Sequence, residues 1–165
     1  MLRVLALLVV VMASAGASRA QEAAVVAALI GEWSGSGAVT GRSAAVTMVW
    51  SREPGAAFLH LRFRNTMAAS SSRPAEVFEA RGYYVVRPGA PSTGTWVDSR
   101  GVIFPLTFAA TADTLTADWG AGNTERGRTV YRVRDGGILE VIDYVRGADG
   151  QYKEFGRTLL EKKPR

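Results

Sequence analysis

The stretch "LIGEWSGSG", Leu29–Gly37, places one tryptophan, Trp33, among glycines directly after a short apolar run. Residues 21–30, which precede the glycines, are rich in alanine and space their apolar side chains along one face of a short amphipathic helix. From residue 31 onward the sequence is typical of strands and turns. A large indole at the entry to the first strand predicts that the helix and this ring together close one end of a β-structure.

Short strands at regular spacing continue to the end of the chain. The turns between them contain Gly, Asp, Asn or Pro, which accept tight or left-handed backbone. Such a series favours an up-and-down meander, and closure into a barrel removes its exposed edges. We therefore expect an all-β fold, an antiparallel up-and-down β-barrel of about ten strands with one short N-terminal helix; a two-sheet sandwich is the alternative. The predicted strands are 33–39, 44–50, 58–67, 76–86 (with Gly82 at a bend or bulge), 93–98, 102–110, 114–119, 126–133, 138–146 and 152–162.

The N-terminus has the layout of a secretory signal. Arg3 is followed by an apolar segment at 5–12 and by small residues that end at Ala20. The apolar segment is shorter than the ~20 residues that span a bilayer. We therefore expect residues 1–20 to be cleaved and residues 21–165 to form a single domain in the periplasm or medium, without stable membrane insertion. A chain of 165 residues, 47% of them hydrophobic, suffices for one domain with one core.

Charge and cysteine content restrict the partners. The formal net charge is +5, and Arg3 and Arg19 leave with the signal. The remaining arginines are scattered among acidic residues, which argues against a nucleic-acid partner. The chain has no cysteine and a single histidine, so neither a disulfide nor a metal site is expected. No nucleophile elbow or phosphate-binding loop is present, and we predict no cofactor. The sequence leaves the oligomeric state open.

The Gly31-Glu32-Trp33 motif, together with the helix and the meander, resembles the calycin superfamily of lipocalins, fatty-acid-binding proteins and related barrels. In lipocalins an arginine of the last strand lies across this tryptophan. The resemblance therefore implies that Trp33 is a structural plug and that Arg157 covers its ring through a cation–π contact. The glycines Gly35 and Gly37 are expected to let the first strand coil sharply.

A narrower resemblance is to nitrobindin-type haem barrels and to lipocalin-like domains of bacteria, which share the Gly-x-Trp-x-Gly-x-Gly opening. Nitrobindins hold the haem iron through a histidine near the start of the last strand. Here residues 152–155 are Tyr-Lys-Glu-Phe, and the only histidine, His60, lies far earlier. The iron ligand that this resemblance would require is therefore missing.

The third strand carries the candidate binding residues. His60, Arg62 and Arg64 alternate with apolar residues. If they face the interior, they form a cationic ladder for a carboxylate or phosphate, as arginines do in fatty-acid-binding proteins. If Leu59 and its apolar partners face the interior, these cations lie on a solvated outer face, which the alternation favours. A further set of expected cavity-lining side chains comprises Trp50 and Trp96.

These patterns leave three functions open. The first is an exported barrel that binds a small apolar or amphipathic ligand. The second is a small barrel enzyme of isomerase or cyclase type that uses His60 or a carboxylate as base. The third is a structural or interaction module with a filled interior. The carboxylates show no spacing that singles out a catalytic pair, and pairing with arginines is their default role.

Overall fold

The computed structural model describes residues 22–52, 57–86 and 92–164, and this part of the chain forms a closed antiparallel β-barrel. The predicted signal peptide, residues 1–20, lies outside the described residues, and the single domain over 21–165 stays a prediction. A short helix, α1, spans residues 22–29. The strands are β1 Gly31–Val39, β2 Arg42–Ser51, β3 Phe58–Met67, β4 Glu76–Val85, β5 Thr93–Asp98, β6 Ile103–Ala110, β7 Thr114–Trp119, β8 Gly127–Arg134, β9 Ile138–Arg146 and β10 Tyr152–Lys162.

The barrel closes between its first and last strands. Each strand pairs with its sequence neighbour, and β1 also pairs with β10, so that Trp33 lies opposite Lys162. This topology confirms the predicted ten-stranded up-and-down barrel. The observed strand ends differ from the predicted ones by at most two residues. Within the described residues, no helix is both long and apolar enough to cross a bilayer.

Helix α1 covers one end of the barrel, as predicted. Its apolar face, Val25, Val26 and Leu29, is buried in the same core as Trp33, which is only 1% exposed. The indole Nε1 donates a hydrogen bond of 2.7 Å to the carbonyl oxygen of Leu29, which has no partner within so short a helix. Trp33 therefore fixes the helix end onto the first strand while it fills the base of the lumen.

The two ends of the barrel are defined by their turns. We call the α1 end, which also carries the turns 111–113 and 135–137, the floor. We call the other end, which carries the turns 40–41, 68–75, 99–102, 120–126 and 147–151, the mouth. Inward side chains at the floor are aliphatic or aromatic and closely packed. Inward side chains toward the mouth include small and polar residues, among them Ala80, Thr129 and Asp143, so the two halves of the interior differ in character.

Glycines admit close approaches in the wall, and Gly35 and Gly82 are two examples. A Cβ at Gly35 would overlap the carbonyl oxygen of Leu159 on β10, so the barrel seam requires glycine there. Gly82, predicted to mark a bend or bulge, pairs in regular register with its neighbours on both sides. A Cβ at Gly82 would lie 2.9 Å from the ring of Tyr84, so its role is to make room for aromatic rings. The register shift of this sheet lies instead in β10, between Glu154 and Gly156.

Candidate functional site

A row of polar side chains crosses the barrel interior. The Thr129 hydroxyl on β8 donates to Asp143 Oδ1 on β9, at 2.7 Å. Nearer the floor, the hydroxyl groups of Tyr84 and Tyr131 lie 3.5 Å apart. We call Asp143, Thr129, Tyr131 and Tyr84 the polar row; its groups are able to orient a polar ligand atom.

Burial raises the pKa of each titratable member of this row, Asp143, Tyr84 and Tyr131. The surrounding wall disfavours the charged form of Asp143 and raises its pKa to about 6, and the hydrogen bond from Thr129 opposes that rise only in part. Burial also raises the pKa of Tyr84 and that of Tyr131, so both phenols are neutral at physiological pH. Asp143 is thus the member whose charge changes near neutrality. The protonated carboxyl can accept hydrogen bonds and can also donate one.

Aromatic rings surround the row and differ in their accessibility. Trp50 contacts Tyr84 with ring centroids 5.4 Å apart and Tyr131 at 5.1 Å, and it is 1% exposed. Toward the mouth, Phe63 and Trp96 lie 6.0 Å apart and face inward, yet both retain accessible surface. Inward rings that are nevertheless accessible are expected where side chains border an interior recess.

Some buried polar atoms of the interior have no partner. Among the described residues, three buried side-chain atoms have no hydrogen bond: Trp50 Nε1 and Asn65 Oδ1 in the interior, and His60 Nε2 on the outer face. Asn65 points inward from β3 and is 3% exposed. An unpaired buried polar group costs about 1–3 kcal/mol, so such atoms are normally satisfied by a water molecule or by a ligand. They mark positions where a bound molecule would gain hydrogen bonds without displacing existing ones.

The candidate cationic ladder on β3 faces outward. Leu59 and Leu61 are fully buried, whereas Arg62 and Arg64 between the inward positions are exposed. Arg64 pairs with Glu79 on the neighbouring strand. The structure therefore places these arginines where the alternation favoured them, on the outer surface, and not in a lumenal anion site.

His60 belongs to the same outer face. Its ring stacks on Tyr83, with centroids 4.7 Å apart and an interplanar angle of 15°. Burial lowers the pKa of His60, and the charges of Arg81 and Arg62 lower it further. His60 therefore does not share the interior with the polar row, and the structure gives an interior base role to no histidine in the described residues.

Lys162, and not Arg157, supplies the cation over Trp33. The Lys162 Nζ lies 5.0 Å from the centre of the Trp33 ring and donates to the carbonyl oxygen of Ala28 at 2.8 Å. Arg157 points out of the barrel, where it binds Glu140 and Glu154 at 2.6 and 2.7 Å. The predicted contact thus exists with a different partner, because the register sets Lys162 opposite Trp33 and Arg157 opposite Ala38.

Asp143 and Thr129 were not singled out by sequence reasoning. The available signal was alternation on β9, where Leu139 and Val141 are buried and Asp143 is the next residue with the same orientation. Glu140, on the opposite face of the same strand, is bound by arginines outside the barrel. The predicted cavity-lining Trp50 and Trp96 both face inward, Trp50 at the packed floor and Trp96 toward the mouth.

The architecture defines a class, the closed antiparallel up-and-down barrel of ten strands with one end covered by a helix. The fold is similar to that in the crystal structure of Rv2717c from M. tuberculosis, with a TM-score of 0.58 and 16% sequence identity. The alignment covers 84% of this chain and 95% of that one. At this identity the likeness establishes the fold alone. No protein-family model and no curated protein sequence matches the chain.

Proposed function

We propose that the protein is an exported, lipocalin-like barrel that binds a small apolar or amphipathic ligand in the mouth half of its interior. The observation that carries the proposal is the accessibility of inward aromatic rings there. Phe63, Trp96 and Trp119 point toward the axis but keep accessible surface. The inward rings nearer the floor, Trp33, Trp50 and Tyr84, are each only 1% exposed. Apolar walls with a few convergent polar groups are the usual composition of a small-molecule site.

Membership of the calycin superfamily is part of this proposal. It is supported by the order of α1, Gly31 and Trp33, by the cation over the indole, and by the closed meander. Export is supported by the signal-like layout of residues 1–20. Residues 152–155 offer no histidine at the start of β10, so the proposed ligand is an organic molecule held by packing and hydrogen bonds, not a haem held through its iron.

A fluorescence titration with the neutral probe N-phenyl-1-naphthylamine tests the proposal. The wild-type protein is expected to enhance probe emission in a saturable manner and to show energy transfer from its tryptophans. Native mass spectrometry of protein purified from its own host is expected to show an added small mass. A clean apo mass together with no saturable probe uptake would refute the proposal.

A matched pair of variants, in each of which one alanine is replaced by leucine, locates the site. Ala80 faces inward between Phe63 and Asp98, and Ala109 is exposed on the outer face of β6. Ala80→Leu is expected to fill part of the recess and to weaken probe binding about tenfold, a change of about 1.4 kcal/mol. Ala109→Leu should leave binding unchanged. Equal effects of the two substitutions would place the probe outside the barrel.

A further inference from the structure

We infer that the ligand presents a hydrogen-bond donor, an amine or an alcohol, to the carboxyl group of Asp143, and that the site selects against carboxylates. This inference rests on the proposed function and specifies the ligand class. It reverses the expectation of a cationic anchor for an acidic head group, because the arginines of β3 lie outside. Three features of the interior support it: the free oxygen of Asp143, its lack of a cationic neighbour, and a second unpaired acceptor.

One oxygen of Asp143 is free to bind. Oδ1 accepts the Thr129 hydroxyl, whereas Oδ2 has no hydrogen-bond partner among the described residues. The nearest wall on the β10 side is Gly156, and a Cβ there would lie 3.2 Å from Oδ2. The missing side chain thus leaves this oxygen uncovered. Asp143 is enclosed by the barrel wall but keeps accessible surface, as expected for a group that borders a recess.

The strands around Asp143 bring no cation to it. On β8 its partner is the uncharged Thr129, and on the β10 side it meets Gly156, which is flanked by Val39 of β1. The neighbouring arginines face outward, with Arg128 bound to Asp118 and Arg157 to Glu140 and Glu154. A carboxylate ligand would therefore meet an ionised carboxylate with no compensating charge, which is unfavourable in a partly desolvated site.

The charged groups elsewhere in the interior are already engaged. Arg42 turns toward the mouth and donates to the carbonyl oxygens of Ala68 and Pro74, at 2.8 and 2.6 Å. The Lys162 ammonium lies over Trp33 at the floor. The second unpaired group that faces inward on the mouth side is Asn65 Oδ1, which is also an acceptor. Two free acceptors without a matching cation favour a ligand that donates hydrogen bonds.

Ionisation of Asp143 sets the pH range of this selectivity. The other titratable groups within reach of its charge are Tyr131 on β8 and Tyr84 on β4, and both phenols stay neutral. Above the raised pKa of Asp143, about 6, the carboxylate attracts a protonated amine and repels an acid. At pH 5 the protonated carboxyl should discriminate little between them.

Three ligands on one ring system provide the test. 1-Naphthylmethylamine, 1-naphthalenemethanol and 1-naphthoate compete with the neutral probe at pH 7.5. We expect the amine to bind about tenfold or more tighter than the carboxylate, which corresponds to a charge-assisted hydrogen bond, with the alcohol between them. In Asp143→Asn the amine and the carboxylate should bind within about threefold of each other. Asp118→Asn, on the outer surface, is the matched control and should keep the wild-type ratio.

A second variant keeps the test independent of folding defects in the first. Gly156→Ala adds a methyl group beside Oδ2 and is expected to weaken amine binding while the carboxyl group remains. Equal affinity of the wild type for amine and carboxylate, or an unchanged ratio in Asp143→Asn, would overturn the inference and leave the proposed function intact. If neither the three compounds nor the neutral probe binds, the proposed function itself is overturned.

Discussion

The floor and the mouth halves of this barrel are built from the same strands but pack differently. At the floor, Trp33, Trp50 and Leu61 are at most 1% exposed, and α1 seals them from solvent. Toward the mouth, Phe63 and Trp96 point inward and remain accessible. Close packing maximises stability, whereas accessible apolar surface and an uncompensated carboxyl reduce it. The difference indicates that the floor contributes most to the stability of the fold, and the mouth half is the part of the interior that the proposed function uses.

Truncation of one tryptophan in each half gives the largest expected contrast. Trp33→Ala should lower the free energy of unfolding by about 3–5 kcal/mol, because it empties a packed site and removes the bond to Leu29. Trp96→Ala should cost only about 1–2 kcal/mol, because that ring is already partly accessible. Urea denaturation followed by circular dichroism measures both. Equal losses would mean that the mouth half is as closely packed as the floor.

Substitution of Asp143 is expected to raise the free energy of unfolding, in contrast to truncation of the tryptophans. Its pKa is raised in the folded protein to about 6 from 3.8, so the unfolded chain releases the proton at lower pH than the folded one. The stabilising contribution of Asp143 to the free energy of unfolding is therefore complete below pH 3.8, and it is lost as pH rises to about 6.

Asp143→Asn should accordingly raise the free energy of unfolding at pH 8 by on the order of 2 kcal/mol and change it little at pH 4. Thermal unfolding of the two proteins across this pH range provides the measurement. A variant that is less stable than the wild type at pH 8 would show that the carboxylate is stabilised by its surroundings and would contradict the contrast between the two halves.

Glu140, on the outer face of the same strand, should behave in the reverse way. Burial opposes its ionisation, but hydrogen bonds and charges from Arg134 and Arg157 outweigh burial and lower its pKa. Glu140→Gln should cost about 1–2 kcal/mol at pH 7, since the arginines are half exposed and their pairs partly screened. The loss should disappear as pH falls through the lowered pKa of Glu140. A loss that persists at low pH would assign the effect to packing.

The smallest expected effect concerns the cation at the floor. Lys162→Met should cost about 1 kcal/mol, through loss of the contact with the Trp33 ring and of the bond to Ala28. It should also shift the tryptophan emission spectrum. Arg157→Met serves as the control, and its emission spectrum should match that of the wild type. A spectral shift with Arg157→Met alone would restore the original assignment of this contact.

Local alternation predicted the strands and the orientation of their side chains. Leu59 and Leu61 alternate with His60 and Arg62, and this pattern was sufficient to separate inner from outer face on β3. The same rule on β9 directs Asp143 inward. Alternation does not predict how closely an inward side chain is packed, because it does not distinguish a packed position from one that borders a recess.

Contacts between distant strands were beyond the reach of local patterns. The pairing of β10 with β1 sets Lys162 opposite Trp33 and Arg157 opposite Ala38, so the position of Arg157 relative to Trp33 followed from barrel closure and not from the sequence of β10 alone. The meeting of Tyr84 with Tyr131, 47 residues apart, likewise depends on barrel curvature. Predicting the candidate site therefore required the assembled barrel, whereas predicting the strands did not.

The seam between β1 and β10 also constrains how the chain reaches its native state. Its hydrogen bonds, such as that from Lys163 N to Glu32 O at 2.8 Å, join the first strand of the barrel to its last. Until β10 is available to pair, β1 presents an unpaired edge, and contacts of such long sequence separation form slowly. The nascent polypeptide thus passes through an aggregation-prone interval in which an escorting chaperone would have most to protect.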